Sequence, residues 1–178
     1  MMMERLTVLA FGAACLLAFT WAMFWHFRSD GPMPFGMRVV GATSLAAMAV
    51  FTWFVCTGQL SRTWPVTLIL SVASLASFAW TVHATRDAGF AFAFATTKPS
   101  VLVVSGPFHY VRHPFYASYL TFWFATCFAT TSSACWAGPL ILLACYVLAA
   151  RREERLMARS DLGAEYASYA ARTGMFVP

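Results

Sequence analysis

The chain has 178 residues, of which 60% are hydrophobic and only 11% are charged, with a net charge of +5. Soluble domains average about 45–50% apolar and about 25% charged residues, so a water-soluble globule of this size could not bury this much apolar surface. The composition excludes a soluble domain, a disordered chain, a collagen and a disulfide scaffold, and it predicts an all-α integral membrane protein.

Five apolar stretches are each long enough, or nearly so, to cross a bilayer, which requires about 20 helical residues. In chain order they cover residues 6–27, 39–57, 64–85, 115–131 and 134–150. They predict a polytopic membrane helix bundle with five transmembrane helices. Only Ser132 and Ser133 separate the last two stretches, so spans four and five are predicted to form an antiparallel helical hairpin. The first stretch lacks the features of a cleaved signal peptide, and we expect it to be a retained span.

The basic residues predict the orientation of these spans. With the N-terminus outside, the outer segments hold Arg5 and Arg62, and the other ten lysines and arginines fall on the inner side. Those ten are Arg28, Arg38, Arg86, Lys98, Arg112, Arg151, Arg152, Arg155, Arg159 and Arg172. Because cytoplasmic loops are enriched in Lys and Arg, we expect a multi-pass protein of a bacterial inner membrane, with its N-terminus outside and its C-terminus cytoplasmic. Basic residues scattered in this way exclude nucleic acid as a partner.

The carboxylates, cysteines and glycines exclude further classes of function. None of the seven carboxylates lies within an apolar stretch, so an ion pathway through the membrane is disfavoured. All five cysteines lie within apolar stretches without C-x-x-C spacing, and we expect them to be packing residues with no disulfide and no metal site. The glycine-rich loops of nucleotide-binding proteins are missing, so any nucleotide cofactor must be held by another arrangement.

The segment 151–178 follows the last apolar stretch and is charged. It is predicted to be helical, with an interruption near residues 160–163. Asp161 is a candidate cap for a last short helix, in which Tyr166 and Tyr169 share one face at i, i+3.

The predicted topology brings several polar residues to one cytoplasmic interface. They are His26, His83, Arg112, His113, Glu153 and Glu154. Polar residues are common at the ends of spans, and Glu153 with its neighbouring arginines is most simply a solvated helix face. Arg112 and His113 opposite Glu154 are a stronger candidate site, because the predicted hairpin holds the inner ends of its helices together.

The sequence around these residues resembles a known family. Residues 105–116, Ser-Gly-Pro-Phe-His-Tyr-Val-Arg-His-Pro-Phe-Tyr, are similar to the G-P-[FY]-x-[YW]-x-R-H-P-x-Y signature of the isoprenylcysteine carboxyl methyltransferases, a family that also includes phospholipid methyltransferases. Glu-Glu-Arg-Leu at 153–156, Leu-Gly-Ala-Glu-Tyr at 162–166 and the ending Phe-Val-Pro at 176–178 are similar to its later motifs. The resemblance covers residues 98–178, and the first three spans carry no family signal.

The resemblance implies a membrane-embedded methyltransferase that depends on S-adenosyl-L-methionine. It divides the chain into three N-terminal spans at residues 1–85 and a cofactor-binding catalytic region at residues 86–178. The implied cofactor pocket consists of Gly106, Pro107, Phe108, His113, Tyr116, Ser118, Tyr119 and Glu154. The implied catalytic residues are Arg112, His113 and Glu154, and Arg151 is a candidate substrate contact. A carboxylate suits the ammonium or ribose hydroxyls of the cofactor, and aromatic rings suit its adenine and its sulfonium.

Three positions depart from the family pattern. Ser118 stands where a glycine is usual, Leu162 stands for a phenylalanine, and Met175 stands for an arginine near the C-terminus. Any anion contact of that arginine is then absent or is made by Arg151 or Arg155.

The acceptor is expected to be lipid-like or membrane-associated and to enter from the bilayer. Carboxylate O-methylation, as in the isoprenylcysteine enzymes, requires an arginine to orient the acceptor, either Arg151 or Arg112. Methylation of a thiol or of a phospholipid amine is the alternative, and an amine would require a base such as Glu154 or His113. Two further readings are a haem-binding electron-transfer protein, which would use His26 and His83, and a structural membrane subunit without a cofactor.

Overall fold

The computed structural model describes residues 2–27, 32–88 and 101–178. The basic residues Arg28 and Lys98, which entered the orientation argument, lie outside these ranges. The described chain is all-helical. Its six α-helices are α1 (Met2–Trp25), α2 (Phe35–Cys56), α3 (Trp64–Thr85), α4 (Pro114–Ala129), α5 (Ala137–Ala158) and α6 (Gly163–Ala170). Single 3₁₀ turns at Gly106–His109 and Ser133–Trp136 precede α4 and α5.

Four helices of the described chain are long and apolar enough to cross a membrane. They are α1, α2, α3 and the segment Ser133–Ala158, which contains α5. This confirms the class of an integral membrane protein built from helices. The helix α4 has 16 residues and is therefore about 24 Å long, which is less than the roughly 30 Å of a hydrocarbon core. The fifth crossing therefore stays a prediction.

The helix α4 lies at the centre of the bundle. Most of its residues are buried, and it packs most extensively against α3, with further contacts to α1 and α5. Hydroxyl groups line the contact with α3: Ser74 Oγ donates to the carbonyl oxygen of Ser118 at 2.7 Å, and Thr67 Oγ1 donates to that of Ala125 at 2.8 Å. Small hydroxyl residues of this kind allow membrane helices to approach closely and to bond across the contact.

The link between α4 and α5 differs from the predicted two-residue turn at Ser132 and Ser133. It runs over residues 130–136 and includes the second 3₁₀ turn. The helix ends early because the chain pairs with the loop before α3, where the backbone N–H of Thr131 donates to the carbonyl of Gln59 at 3.1 Å. The Ser132 side chain then accepts from the N–H of Ala134 and starts the 3₁₀ turn. In the described chain α4 contacts α5, the other helix of the predicted hairpin, and packs more extensively against α3.

The C-terminal region is helical and interrupted where the sequence predicts it. The charged residues after the apolar part of α5 continue that helix to Ala158, and α6 starts at Gly163. The prediction that Asp161 caps α6 is wrong. Leu162 occupies the N-cap position without a side-chain bond, and the turn is held by Ser160, whose Oγ accepts from the N–H of Leu162 at 3.2 Å.

At one end of the bundle, the chain after α6 pairs with the loop before α4. We call residues 173–178 the C-terminal strap. The backbone N–H of Arg112 donates to the carbonyl of Gly174 at 2.8 Å, and that of His113 donates to the carbonyl of Met175 at 3.1 Å. At the same end, His26 Nε2 lies 2.8 Å from Thr85 Oγ1 and joins the ends of α1 and α3. Of the six polar residues predicted to converge, Arg112, His113, Glu153 and Glu154 lie together at this end, His26 bonds to Thr85 there, and His83 is exposed.

Candidate active site

Arg112 and His113 are the last two residues of the loop that precedes α4. Pro114 occupies the first turn of the helix, where its missing N–H is not needed. His113 precedes it in a non-helical conformation, with φ −125°. Earlier in the loop, Gly106 has a φ of +61° at the start of the 3₁₀ turn, a backbone conformation that residues with a Cβ rarely adopt. The backbone of the loop thus fixes both side chains at the start of α4.

The Arg112 guanidinium connects three segments of the chain. Its Nε donates to Glu154 Oε1 of α5 at 2.7 Å. Its Nη1 donates to the carbonyl oxygens of Ala170, at the end of α6, and of Thr173, at the start of the strap. Only 15% of the Arg112 side chain and 20% of the Glu154 side chain are exposed. The ion pair is therefore largely shielded from water, and each charge stabilises the other where water cannot.

The imidazole of His113 lies between two carboxylates. Its Nε2 is 3.2 Å from Glu154 Oε1, and its Nδ1 is 3.6 Å from Glu153 Oε2. Since each ring nitrogen faces a different glutamate, the plane of the ring is fixed from both edges.

An aromatic stack continues from His113 into the bundle. The rings of His113 and Tyr116 are 5.5 Å apart and within 6° of parallel, and Tyr146 of α5 stacks on Tyr116 at 5.0 Å and 20°. The Tyr116 hydroxyl donates to Glu153 Oε1 at 2.5 Å. Phe176 of the strap packs edge-on against His113 and Tyr116, with ring centroids at 6.0 and 6.5 Å. The candidate site is therefore built from the loop, α4, α5 and the strap.

Two tyrosines of α6 complete the surroundings. Tyr169 donates its hydroxyl to the carbonyl of Phe108 at 2.6 Å and so anchors the 3₁₀ turn. Tyr166 is buried, and its hydroxyl has no hydrogen-bond partner among the described residues. Burial raises the pKa of Tyr166, and the nearby negative charge of Glu154 raises that pKa further. The hydroxyl thus stays neutral and keeps its donor capacity beside Glu154.

The structure brings together four of the predicted site residues, namely Arg112, His113, Tyr116 and Glu154. It separates Ser118 from them: the Ser118 hydroxyl faces α3 and donates to Ser77 Oγ at 3.0 Å and to the carbonyl of Pro114 at 2.9 Å. The contact with Ser77 belongs to the packing between α3 and α4, and the bond to Pro114 lies within α4.

The other predicted residues surround the cluster at different distances. The ring of Tyr119 lies deeper in the bundle, 5.7 Å from Tyr146 and 4.7 Å from Phe19 of α1. Arg151 is exposed on α5.

Gly106, Pro107 and Phe108 form the 3₁₀ turn, in which the last two are buried. A Cβ at Gly106 would lie 3.0 Å from the Cβ of Ala84 on α3. Packing against α3 and the positive φ are thus two structural reasons for this glycine.

Sequence reasoning missed two residues of the site, Glu153 and Tyr146. The sequence predicts Glu153 at this interface, with a solvated helix face as the alternative, but it does not predict the contact with Tyr116 or the position facing His113. Tyr146 precedes Glu153 by seven residues, two turns along α5, so helical periodicity puts both on one face. That spacing was the available signal.

The histidines of the haem hypothesis do not form a comparable group. His26 uses its Nε2 in the contact with Thr85, and His83 is exposed at the end of α3. In the described ranges, no group of three or more His, Cys, Asp or Glu side chains is placed to hold a metal ion. The five cysteines are free thiols, and Cys15, Cys127 and Cys135 are buried, as packing residues would be.

Comparison with known protein families gives one match. The family model for phospholipid methyltransferases matches residues 60–160, more than half of the chain. The matched range contains α3, α4 and α5, and with them Arg112, His113, Tyr116 and both glutamates. The match confirms the resemblance to membrane methyltransferases that the motifs indicated. No curated protein matches the chain.

Proposed function

Because the chain belongs to the phospholipid methyltransferase family, we propose that it is a membrane enzyme that methylates a lipid-like acceptor with S-adenosyl-L-methionine as the methyl donor. The observation that carries this proposal is the cluster of Arg112, His113, Tyr116 and Glu154 at one end of the bundle. These residues are the ones that the family resemblance implies, and they meet although they come from separate parts of the chain.

The donor and acceptor groups of the cluster fit this cofactor. Glu154 uses Oε1 for both Arg112 and His113, so its other oxygen can accept from an ammonium or from ribose hydroxyls. The unpaired hydroxyl of Tyr166 provides a buried donor beside it. When bound, the cofactor supplies a methyl group on a positively charged sulfur, which is transferred by in-line displacement.

We propose that eight residues form the cofactor pocket or support it. They are Gly106, Pro107, Phe108, His113, Tyr116, Ser118, Tyr119 and Glu154. Since the displacement relieves positive charge, the protein contributes mainly by orienting two reactants and excluding water, which is worth roughly 7–11 kcal/mol of a barrier.

For the acceptor we propose the amine of a phospholipid headgroup. Glu153 and Glu154 place two carboxylates at the site, and Arg112 already donates to Glu154 and to two carbonyls. This balance of charge suits a cationic amine better than a carboxylate, which needs a cation with free donors. An amine must also lose a proton, and His113 is the candidate base, because the bonds from His113 and Arg112 outweigh the effect of burial and lower the pKa of Glu154 to about 2.

Carboxylate O-methylation remains the second candidate because Arg151 is exposed on α5, three residues before Glu154. An arginine at this position can orient a carboxylate with its full set of donors.

We further propose that the acceptor enters from the bilayer and that the cofactor enters from the cytoplasm. This assigns the end of the bundle that carries Arg112 to the cytoplasmic side, with the N-terminus outside and five crossings. The first three spans, within residues 1–85, then hold the catalytic region of residues 86–178 in the membrane.

Binding of the cofactor is tested by thermal unfolding of the detergent-solubilised protein with and without S-adenosyl-L-methionine. We expect the cofactor to raise the Tm of the wild type and of Glu165→Ala, a control at an exposed glutamate of α6. We expect Glu154→Ala to lose most of this increase, because the central acceptor of the cluster is gone. An unchanged wild-type Tm would contradict the proposal.

The acceptor is tested by transfer of a radiolabelled methyl group. Vesicles that contain a phosphoethanolamine lipid are compared with vesicles that contain a prenylated cysteine with a free carboxylate. Label in the amine lipid supports the proposed acceptor. Label only in the carboxylate, with loss of transfer in Arg151→Gln, would establish the second candidate instead.

A further inference from the structure

Glu153 and Glu154 are adjacent in sequence but contact different partners. Glu154 accepts from Arg112 and faces Nε2 of His113, whereas Glu153 accepts from Tyr116 and faces Nδ1 of the same imidazole. The two glutamates therefore hold His113 from opposite edges. Glu154 belongs to the proposed cofactor pocket, whereas Glu153 is not among its residues and contacts one of them, Tyr116.

Tyr116 is poorly placed to stack on a ligand itself. One face of its ring is stacked by His113 and the ring also stacks with Tyr146, while Phe176 packs against its edge. Tyr116 is also buried, with 8% of its surface exposed. A ring enclosed in this way acts on its neighbours. Of the two rings stacked on it, Tyr146 at 5.0 Å and His113 at 5.5 Å, His113 is the one that also faces Glu154.

Among the described residues, the hydroxyl of Tyr116 makes the polar bond that holds its ring, and the acceptor is Glu153. The 2.5 Å bond to Glu153 Oε1 is a hydrogen bond to a carboxylate, a type that is short and roughly twice as strong as a bond between neutral groups. Without it, only van der Waals contacts would set the angle of the ring. The near-parallel arrangement with His113, within 6°, depends on that angle.

We propose that Glu153 is a positioning residue that acts on His113 through the ring of Tyr116. The bond from Tyr116 to Glu153 fixes the tyrosine ring, and the stacked tyrosine ring fixes the plane of the imidazole beside Glu154. This proposal deepens the proposed function and rests on it, since it assigns His113 as the group that meets the bound reactants.

The test is a double-variant cycle with Glu153→Ala and Tyr116→Phe in the full chain, purified in detergent. Each single variant removes the bond from one side. We expect each to lower kcat/KM for methyl transfer by about 10- to 100-fold, the range that corresponds to a hydrogen bond to a charged group. Because both substitutions remove the same bond, the kcat/KM of the double variant is expected to be about as low as that of the more impaired single variant.

A conservative variant separates the bond from the charge. Glu153→Gln keeps a side-chain oxygen that can accept from Tyr116, but it removes the negative charge that faces Nδ1 of His113. We expect Glu153→Gln to retain kcat/KM within about threefold of the wild type. Equal losses in Glu153→Gln and Glu153→Ala, or losses that multiply in the double variant, would overturn the route through Tyr116.

A second readout does not depend on activity. The same four proteins are compared by thermal unfolding without cofactor, with Glu165→Ala as the control at an exposed carboxylate. We expect the decreases in Tm for Glu153→Ala and Tyr116→Phe to be non-additive. Additive decreases in Tm would overturn the coupling between Tyr116 and Glu153. A wild type that binds no cofactor would overturn the proposed function, but the comparison of Tm values would still test the coupling.

Discussion

The side chain of Arg112 shows how much one residue can contribute to this site. It contacts α5, the end of α6 and the strap through two different nitrogens of its guanidinium. The planar, fork-like arrangement of N–H donors in the guanidinium matters here. A lysine has one compact ammonium and cannot reach these acceptors together.

We therefore expect Arg112→Lys to lower the free energy of unfolding by about 1–3 kcal/mol, although the charge is kept. Thermal or chemical unfolding in detergent measures the change. Arg152→Lys is the matched control, since Arg152 is an exposed arginine two residues before Glu154. Equal losses in the two variants would contradict the role of the fork.

Gly106 provides a second prediction at the scale of the residue. Gly106→Ala combines φ +61° with a Cβ that would lie 3.0 Å from Ala84, and we expect a loss of about 1–2 kcal/mol. Gly41 of α2 is the control, because a Cβ there meets nothing within 4 Å. Gly41→Ala is expected to be neutral or to stabilise by up to about 1 kcal/mol. Unfolding is measured without cofactor, and a stable Gly106→Ala would show that the glycine is not required by the fold.

Some of these residues could be placed from the sequence and others could not. Tyr116 and Tyr119 share a helix face, and Ser118 lies about 200° around the helix from Tyr116, so periodicity was sufficient to separate it from the cluster. The contact of Glu153 with Tyr116 joins residues 37 positions apart. It depends on the rotation of α4 against α5, which no local pattern specifies.

At the scale of the element, the close approach of α2 and α5 is set by Gly138. A Cβ added at Gly138 would lie 2.5 Å from the Cβ of Ala47, a distance that two real Cβ atoms do not reach. We expect Gly138→Ala to lower the free energy of unfolding by about 1–3 kcal/mol.

The added Ala47→Gly substitution should recover part of that loss, reduced by the cost of a glycine within a helix, about 0.5–1 kcal/mol. Unfolding of the single and double variants in detergent checks both statements. If Ala47→Gly gives no recovery in the Gly138→Ala background, the contact between these helices is not what limits the substitution.

The strap is the other element whose role can be isolated. Deletion of residues 174–178 removes the two carbonyls that accept from Arg112 and His113, and the ring of Phe176. We expect helical content by circular dichroism to remain, stability to fall by about 2–4 kcal/mol, and the stabilisation by cofactor to be lost. Val177→Ala, at an exposed position, is the control. Full retention of cofactor binding after the deletion would exclude the strap from the site.

The elements themselves were largely predictable. The third apolar stretch coincides with α3, because a bilayer-length apolar run bounded by polar residues leaves few alternatives. The central position of α4 is not predictable from its hydrophobicity, which is similar to that of α1 and α3. It is accompanied by bonds from hydroxyl side chains of α3 to backbone carbonyls of α4, such as Ser74 to Ser118, and these serines and threonines resemble ordinary polar residues until a partner helix is known.

At the scale of the whole molecule, the number of crossings depends on α4. Its first turn meets α5, where Tyr116 donates to Glu153, and the carbonyl of its last residue, Ala129, accepts from the N–H of Ser61 just before α3, at 2.8 Å. The helix thus returns along α3 from one end of the bundle to the other. We therefore expect an odd number of crossings.

Reporters fused in turn to each terminus of the full chain check this expectation. With five crossings the two termini lie on opposite sides, and the excess of basic residues predicts that the C-terminus is cytoplasmic. A reporter on an inner loop of a protein of established topology serves as the reference. If both termini report the same side, α4 does not cross the membrane.

The contacts of Arg112 with Ala170 and Thr173 have a consequence for the order of folding. They join residues 58 and 61 positions apart, across α4, α5 and α6. Closing so long a loop is slow compared with the formation of a single helix. During synthesis, α1 to α4 emerge and can enter the membrane before the acceptors of the guanidinium exist. Assembly of the site is therefore expected to be a late event, separate in time from insertion of the bundle.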